Sequence, residues 1–219
     1  MKEINVIFDM DGTLIDTEKL YRKYWPMAFA DCGYELSDER ALKLRSLGRP
    51  FAPEQFKIWY GPDFDYNKVR NRRKEYIEEH VNKYGIELRP GVITLLDWLE
   101  KEKITTAIAT ATDEERTEKY LKMVGLSGRF KRIICATMVE HGKPAPDIYE
   151  FAASCLDTDK ENIFAVEDAP NGVKSAYSAG LKVIYVPDQT PTDDEIRDMI
   201  YAEVPSIDGI IDIIKRVRE

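Results

Sequence analysis

The sequence predicts an α/β protein: a parallel sheet covered by helices on both faces, with an all-α block inserted after the first strand. Three observations lead there. Ile4-Asn5-Val6-Ile7-Phe8 is a strand-like apolar run close to the start of the chain. From Asp16-Thr17 to about Tyr84-Gly85 no second convincing strand follows, and apolar residues recur at helical spacing instead. From Arg89-Pro90-Gly91 onward helix and strand patterns alternate, the rhythm of βα units in a parallel sheet.

In the helical block, Leu20, Tyr24, Met27 and Ala28 form one stripe, and Tyr76, Ile77, Val81 and Tyr84 form another in a segment that starts near Tyr66. Both stripes read as packing faces. Pro26 falls inside the first; lacking an amide hydrogen and crowding the preceding turn, it predicts a kink or break there. The alternating part reads as a helix near Val92–Lys101, a strand at Thr105–Thr110, a helix at Glu114–Val124 and a strand near Arg132–Cys135. It continues with a helix at Asp147–Leu156, a strand at Asn162–Val166, a helix at Asn171–Ala179 and a strand at Lys182–Val186. Pro187–Asp194 is a polar loop, and a terminal helix carries Ile207, Ile210, Ile211, Ile214 and Val217.

The 219 residues suffice for one core domain with an insertion, and 43% hydrophobic against 33% charged residues is the balance of a chain that folds alone. The 40 acidic residues against 32 basic ones give a net charge of −8, which disfavours nucleic acid and anionic membranes as partners. Cys32, Cys135 and Cys155 are odd in number and widely spaced, and read as reduced thiols rather than a zinc or redox set. The first strand begins too early to leave room for a signal peptide, and no apolar stretch approaches the roughly 18 residues of a membrane span, so the cytoplasm is the expected compartment.

Four strand ends carry chemistry. Asp9 and Asp11, in Phe8-Asp9-Met10-Asp11-Gly12-Thr13, follow the first strand, at the edge where parallel sheets bind ligands. An ionised carboxylate is a nucleophile, and a second one nearby can move protons. Thr110 ends the next strand, where its hydroxyl and the amides after it, beginning with Ala111, can hold an oxyanion. Lys143 sits in the proline-stiffened loop Gly142-Lys143-Pro144-Ala145-Pro146-Asp147, and Glu167-Asp168 follows the apolar run Ile163-Phe164-Ala165-Val166. Each alone has a bland reading: a polar turn, a helix cap, a solvated charge. Together, hard oxygen ligands beside a lysine suit magnesium and a phosphate.

In order and spacing these four motifs resemble those of the haloacid dehalogenase superfamily, and within it the β-phosphoglucomutase-like subgroup, over essentially the whole chain. The resemblance implies a Rossmann-like core of residues 1–16 and 87–219 and a helical cap of residues 17–86. It implies that Asp9 is the nucleophile, Asp11 the acid and base, and Thr110 and Lys143 the holders of the phosphoryl oxygens. It further implies Mg²⁺ on Asp9, Asp168 and the main-chain carbonyl of Asp11, with Glu167 either another ligand or a partner of the ligands. Cap residues then choose the leaving group; Arg49 and Tyr21 are the candidates retained, with Lys19 and Arg22 more in keeping with surface charges, and His80 and His141 with core or loop roles. The expected activity is a magnesium-dependent phosphatase, acting as a monomer on a small phosphorylated metabolite such as a sugar phosphate. A sugar-phosphate mutase of the β-phosphoglucomutase type is the alternative. Tyr21 stands where the mutase resemblance calls for histidine, and Thr13 where it favours valine; both weigh toward the phosphatase. A dehalogenase has no use for the Glu167-Asp168 pair, and a binding module none for the full catalytic set.

Overall fold

The computed structural model describes residues 3–219. Strand β1 (Asn5–Phe8) is buried along its whole length because it lies at the centre of the sheet, pairing in parallel with β2 (Thr105–Thr110) on one side and β4 (Ile163–Glu167) on the other. β3 (Arg132–Cys135) lies beyond β2, while β5 (Lys182–Tyr185) and β6 (Ile200–Glu203) lie beyond β4. The order is β3-β2-β1-β4-β5-β6, parallel throughout. Chain progression turns outward in both directions from β1, so the ligand crevice of such a sheet opens above the carboxyl ends of β1, β2 and β4.

Successive strand residues point to opposite faces, and both faces are dry. Val6, Phe8, Ile108, Phe164 and Val166 pack with α5 (Val92–Lys101), α6 (Glu114–Met123) and the terminal helix α9 (Ile210–Arg218). Ile7, Ala107, Ala109, Ala165 and Val183 pack with α7 (Asp147–Ser154) and α8 (Pro170–Ser178). Among the described residues no helix is long and apolar enough to cross a membrane.

Four helices separate β1 from α5: α1 (Glu18–Asp31), α2 (Asp38–Lys43), α3 (Phe51–Tyr60) and α4 (Tyr66–Tyr84). They enclose an aromatic core in which Phe56 lies 5.3 Å from Phe29 and 5.2 Å from Phe64, ring centre to ring centre. The chain enters and leaves this helical insert side by side: Asp16 N–H donates to Glu87 O at 2.9 Å and Arg89 N–H to Leu14 O at 2.9 Å. A second junction joins its far end to the sheet. Gly48 N–H donates to Lys143 O at 2.8 Å, and Gly142 N–H returns a bond to Arg49 O at 2.7 Å. A Cβ on Gly48 would come within 2.6 Å of the Gly142 Cα, so the two backbones cross this closely only because both residues are glycine.

The elements depart from the sequence expectation at a few points. α1 runs through Pro26 without a break. The hydrogen bond lost there is offset by burial of Trp25, Ala28 and Phe29 on either side, each buried aromatic contributing on the order of 1.5–3 kcal/mol. Met27 and Tyr84, expected in the packing stripes, are exposed. β6 has no counterpart in the sequence reading, and Ile207 lies in a 3₁₀ turn (Ile207–Gly209) ahead of α9 rather than in the helix. Cys135 is buried while Cys32 and Cys155 are half-buried, and all three are free thiols.

Candidate active site

The turn after β1 builds the centre. Asp9 N–H donates to Val166 O at 2.9 Å, extending the sheet by one residue. The chain then folds back, with the amides of Leu14 and Ile15 both bonded to Met10 O. Gly12 makes the reversal at φ +86°, and a Cβ there would collide with the Asp168 carboxylate. The turn is tight because β4 delivers its acids directly beneath it.

Asp11 is held by four hydroxyls. Thr17 Oγ1 donates to its Oδ1 at 2.6 Å and Thr112 Oγ1 to its Oδ2 at 2.7 Å, with Tyr21 OH and Thr110 Oγ1 each at 3.4 Å. Thr17 and Tyr21 belong to the insert side and Thr110 and Thr112 to the sheet, so the Asp11 carboxyl is oriented only when insert and sheet are together. Burial, then the Asp11 charge, pushes the Tyr21 phenol up to about 12, so it stays a hydrogen-bond donor.

Lys143 is fully buried, which removes its reading as a solvated charge. Its Nζ donates to Asp9 Oδ1 at 2.5 Å and to Glu167 Oε1 at 2.6 Å. Burial alone would lower the ammonium pKa, but Asp9 and Glu167 overcome that and hold it above its ordinary value. Tyr149 OH donates to the same Glu167 oxygen at 2.5 Å. Glu167 therefore does not cap α8; Ala169 occupies that position. Burial raises Asp9 well above the usual carboxylate range, opposed by Lys143 and reinforced by Glu167 and Asp11. Its second oxygen, Oδ2, is buried with no hydrogen-bond partner. Asp9 and Asp11 line a cavity of about 660 Å³ between sheet and insert, walled also by Tyr21, Arg49, Ala111 and Thr112.

Asp9, Glu167 and Asp168 place carboxylate oxygens within 4.8 Å of one another, all buried. Three such acids repel one another, and burial together with this repulsion raises Asp168 as it does Asp9, against the pull of Arg45. Asp9 Oδ2 and Glu167 Oε2 are both orphaned. Hard oxygen donors, unpaired lone pairs and uncompensated negative charge fit a divalent cation such as magnesium.

The sequence candidates Asp9, Asp11, Thr110, Ala111, Lys143, Glu167 and Asp168 thus converge above β1, β2 and β4, with Tyr21 reaching Asp11 from α1. Arg49 lines the cavity wall, where its main chain holds Gly142. Lys19 lies outside, exposed and paired with Asp16 and Glu87. Arg22 lines the cavity with its charge engaged by Asp38. His80 meets Tyr24 OH, and His141 meets Asp147 beside the lysine loop.

Sequence reasoning missed Thr17, Thr112 and Tyr149; Thr13, which it did single out, donates to Asp168 at 3.2 Å. It also missed two buried arginines, Arg45 and Arg73, and the partly buried Arg116. Arg45, from the turn after α2, bonds Glu18 at 3.0 Å and the Asp168 carboxylate, with Asp188 at 3.7 Å. Arg73, from α4, lies over the rings of Trp25 at 4.2 Å and Tyr21 at 4.9 Å. Arg116, from α6, lines the same cavity.

Residues 6–186 match the family model described as haloacid dehalogenase-like hydrolase. The phosphorylated carbohydrates phosphatase of Thermotoga maritima is 28% identical, the match covering 82% of this chain and 83% of that one. The β-phosphoglucomutase of Bacillus subtilis is 27% identical over 83% of this chain and 82% of that one. Among solved structures, a variant of CbbY from Rhodobacter sphaeroides in complex with xylulose-(1,5)bisphosphate superposes with a TM-score of 0.79 at 25% identity, over 94% of this chain and 96% of that one.

Proposed function

The chain belongs to the haloacid dehalogenase-like hydrolase family, and we propose that within it this protein is a magnesium-dependent phosphatase of small sugar phosphates, working through an aspartyl phosphate on Asp9. The observation that carries the reading is the Asp9 carboxylate itself, in a residue that lines the cavity, with Oδ1 fixed by Lys143 and Oδ2 buried without a partner. Sugar phosphates are favoured because relatives of this chain include a phosphatase and a mutase of phosphorylated carbohydrates.

Asp9 Oδ2 attacks phosphorus in line with the leaving oxygen, forming the Asp9 O–P bond as the ester P–O bond breaks. Asp11, poised by Thr17 and Thr112, gives its proton to the departing alkoxide. As a carboxylate it then takes a proton from the water that attacks the aspartyl phosphate, and inorganic phosphate leaves. Thr110 and the Ala111 amide orient the equatorial oxygens, and Lys143 offsets their charge. The insert, residues 17–86, is the lid over the core of residues 1–16 and 87–219, and it excludes bulk water during transfer. Asp9, Glu167, Asp168 and the main-chain carbonyl of Asp11 would hold Mg²⁺, which when bound supplies the positive charge that lets a carboxylate approach a phosphate.

Arg45 now occupies one face of Asp168, and two unit cations about 4 Å apart repel by roughly 4 kcal/mol at an effective dielectric near 20, about twice that when one of them is divalent. Arg45→Met is therefore expected to bind Mg²⁺ roughly tenfold more tightly or better, read by calorimetry without substrate. Unchanged or weaker binding would show that the guanidinium does not oppose the ion.

The deciding experiment is a paired assay on β-glucose 1-phosphate with a sugar bisphosphate primer present, following phosphate release and glucose 6-phosphate together. Tyr21 keeps its proton throughout the neutral range, so it does not switch Asp11 as an imidazole could. Phosphate release without appreciable isomerisation is expected; isomerisation outpacing release would establish the mutase instead.

A further inference from the structure

One fully buried polar side chain beside the reacting groups takes no part in the chemistry above. Tyr149, on α7, lies in the apolar layer that this helix makes with Ile7 and Ala107, and its hydroxyl donates to Glu167 Oε1 at 2.5 Å. Lys143 Nζ donates to that same oxygen at 2.6 Å. Two donors thus converge on one oxygen of Glu167, while the other, Oε2, is buried with none. Donors placed only to satisfy a buried carboxylate would be spread over both oxygens.

The orientation of the group is fixed as well. On α8, a Cβ at Gly172 would lie 2.0 Å from Glu167 Oε2 and 2.2 Å from Oε1, so the helix closes on the carboxylate as nearly as glycine allows and leaves it no room to turn that way. Asp9 shows the same asymmetry, with Lys143 on Oδ1 and nothing on Oδ2. Two of the three clustered acids therefore offer a cation one free oxygen each. That limit bears on which ion fits. Magnesium keeps a tight octahedron with several waters, whereas calcium takes a larger, looser set of oxygens and readily accepts both from one carboxylate.

Of the two donors on Glu167, Tyr149 is the constant one. Lys143 is shared with Asp9, and in the phosphatase reading it also answers the phosphoryl oxygens, so it can leave Glu167 and still be paired. The phenol is carried by a rigid ring, and among the described residues its hydroxyl bonds nothing else. We infer that Tyr149 is a positioning residue for the cation: by occupying Oε1 it confines Glu167 to its other oxygen, and so makes the acidic cluster favour magnesium over calcium. The inference rests on the reading of Asp9, Glu167 and Asp168 as a divalent-cation site and extends it to what holds off the larger ion. Donors that orient the ligands of a metal govern its affinity nearly as strongly as the ligands do.

The test is Tyr149→Phe, which keeps the ring and its packing and removes only the donor; Lys143 still satisfies Glu167, so the variant folds. Affinities for Mg²⁺ and for Ca²⁺ are measured separately by calorimetry, without substrate, on wild type and variant, beside urea denaturation of each metal-free protein. To use both oxygens of Glu167 in the variant, Ca²⁺ has to displace only a lysine that keeps Asp9, and no longer a phenol that has no other acceptor. The ratio of Ca²⁺ to Mg²⁺ affinity is expected to rise roughly tenfold, the lower end of what losing a hydrogen-bond partner of a metal ligand does. A merely structural role for Tyr149 would weaken both ions alike. A ratio that stays within about threefold of wild type, whether both affinities hold or both fall, would overturn the assignment and leave the cation site standing. Failure of the wild type to bind either ion is a separate result, which removes the cation site and the role of Tyr149 with it.

Discussion

Asp9→Asn is expected to lower kcat by on the order of 10⁴-fold or more while the folded structure persists, as for loss of a covalent nucleophile that no neighbour can replace. The amide has the shape of the carboxylate and can still accept from Lys143 through its oxygen. What it lacks is the electron pair of an anionic Oδ2, the buried oxygen that has no partner. Asp11 cannot stand in, because Thr17 and Thr112 hold both of its oxygens at 2.6 and 2.7 Å. Stability should change little, since the variant removes a buried charge whose burial already opposes ionisation. The measurement is Mg²⁺-dependent phosphate release, paired with trapping of the acyl phosphate by hydroxylamine in the wild type. Activity above about 1% of wild type, or a trapped adduct on another residue, would displace Asp9 from the reaction.

That centre was legible in the sequence because each part follows a run that could only be a buried strand. Val6-Ile7-Phe8, Ala107-Ile108-Ala109 and Ala165-Val166 are apolar on both faces, so the polar residues just after them fall at one sheet edge. Order and spacing then fixed Asp9, Asp11, Thr110, Lys143, Glu167 and Asp168. β6 escaped because Ile200-Tyr201-Ala202-Glu203 is an edge strand with two exposed side chains, so no apolar run announces it. Pro26 misled for a different reason: local propensity says break, but the aromatic core of the insert buries both flanks of α1 and outweighs one lost hydrogen bond.

The arginines were not legible, and the reason is distance. Arg45 finds Asp168 at a separation of 123 residues, and nothing near it in the chain distinguishes it from the exposed Arg22. Arg73 is harder still, since on α4 it sits among Arg70, Arg72 and Lys74, a run that reads as a solvated face. Arg72 does lie on that surface, paired with Asp31, while its neighbour turns inward under Trp25. One step of a helix rotates a side chain by about 100°, which is enough to exchange solvent for the cavity.

Lys143→Met should cost both stability and rate, and the stability loss is the sharper test of how the centre is built. Methionine fills the volume against Tyr149, so packing is conserved while the charge is removed. Asp9 and Glu167, at 2.5 and 2.6 Å from the lost ammonium, are then left buried without their cation, a change that destabilises by roughly 3–5 kcal/mol. Turnover should fall by about 10²–10³-fold, since the charge that offsets the phosphoryl oxygens goes with it. Two conditions separate this account from simple misfolding. Added Mg²⁺ should recover more stability in the variant than in the wild type, because an ion bound only by the folded state stabilises it by mass action. Acid should also narrow the gap. Asp9 is already raised in the folded protein above its ordinary 3.8, and losing Lys143 raises it further, so the folded variant binds that proton more tightly than the unfolded chain. Stability contributed this way is present below the ordinary carboxylate value and is lost as pH climbs above it, making the deficit largest at neutral pH and smallest below about pH 4. Urea denaturation at pH 7 and pH 4, with and without Mg²⁺, reads all of this. A deficit under about 1 kcal/mol at pH 7 would mean that the two carboxylates do not depend on Lys143, and that the charge arrangement argued for Asp9 is wrong.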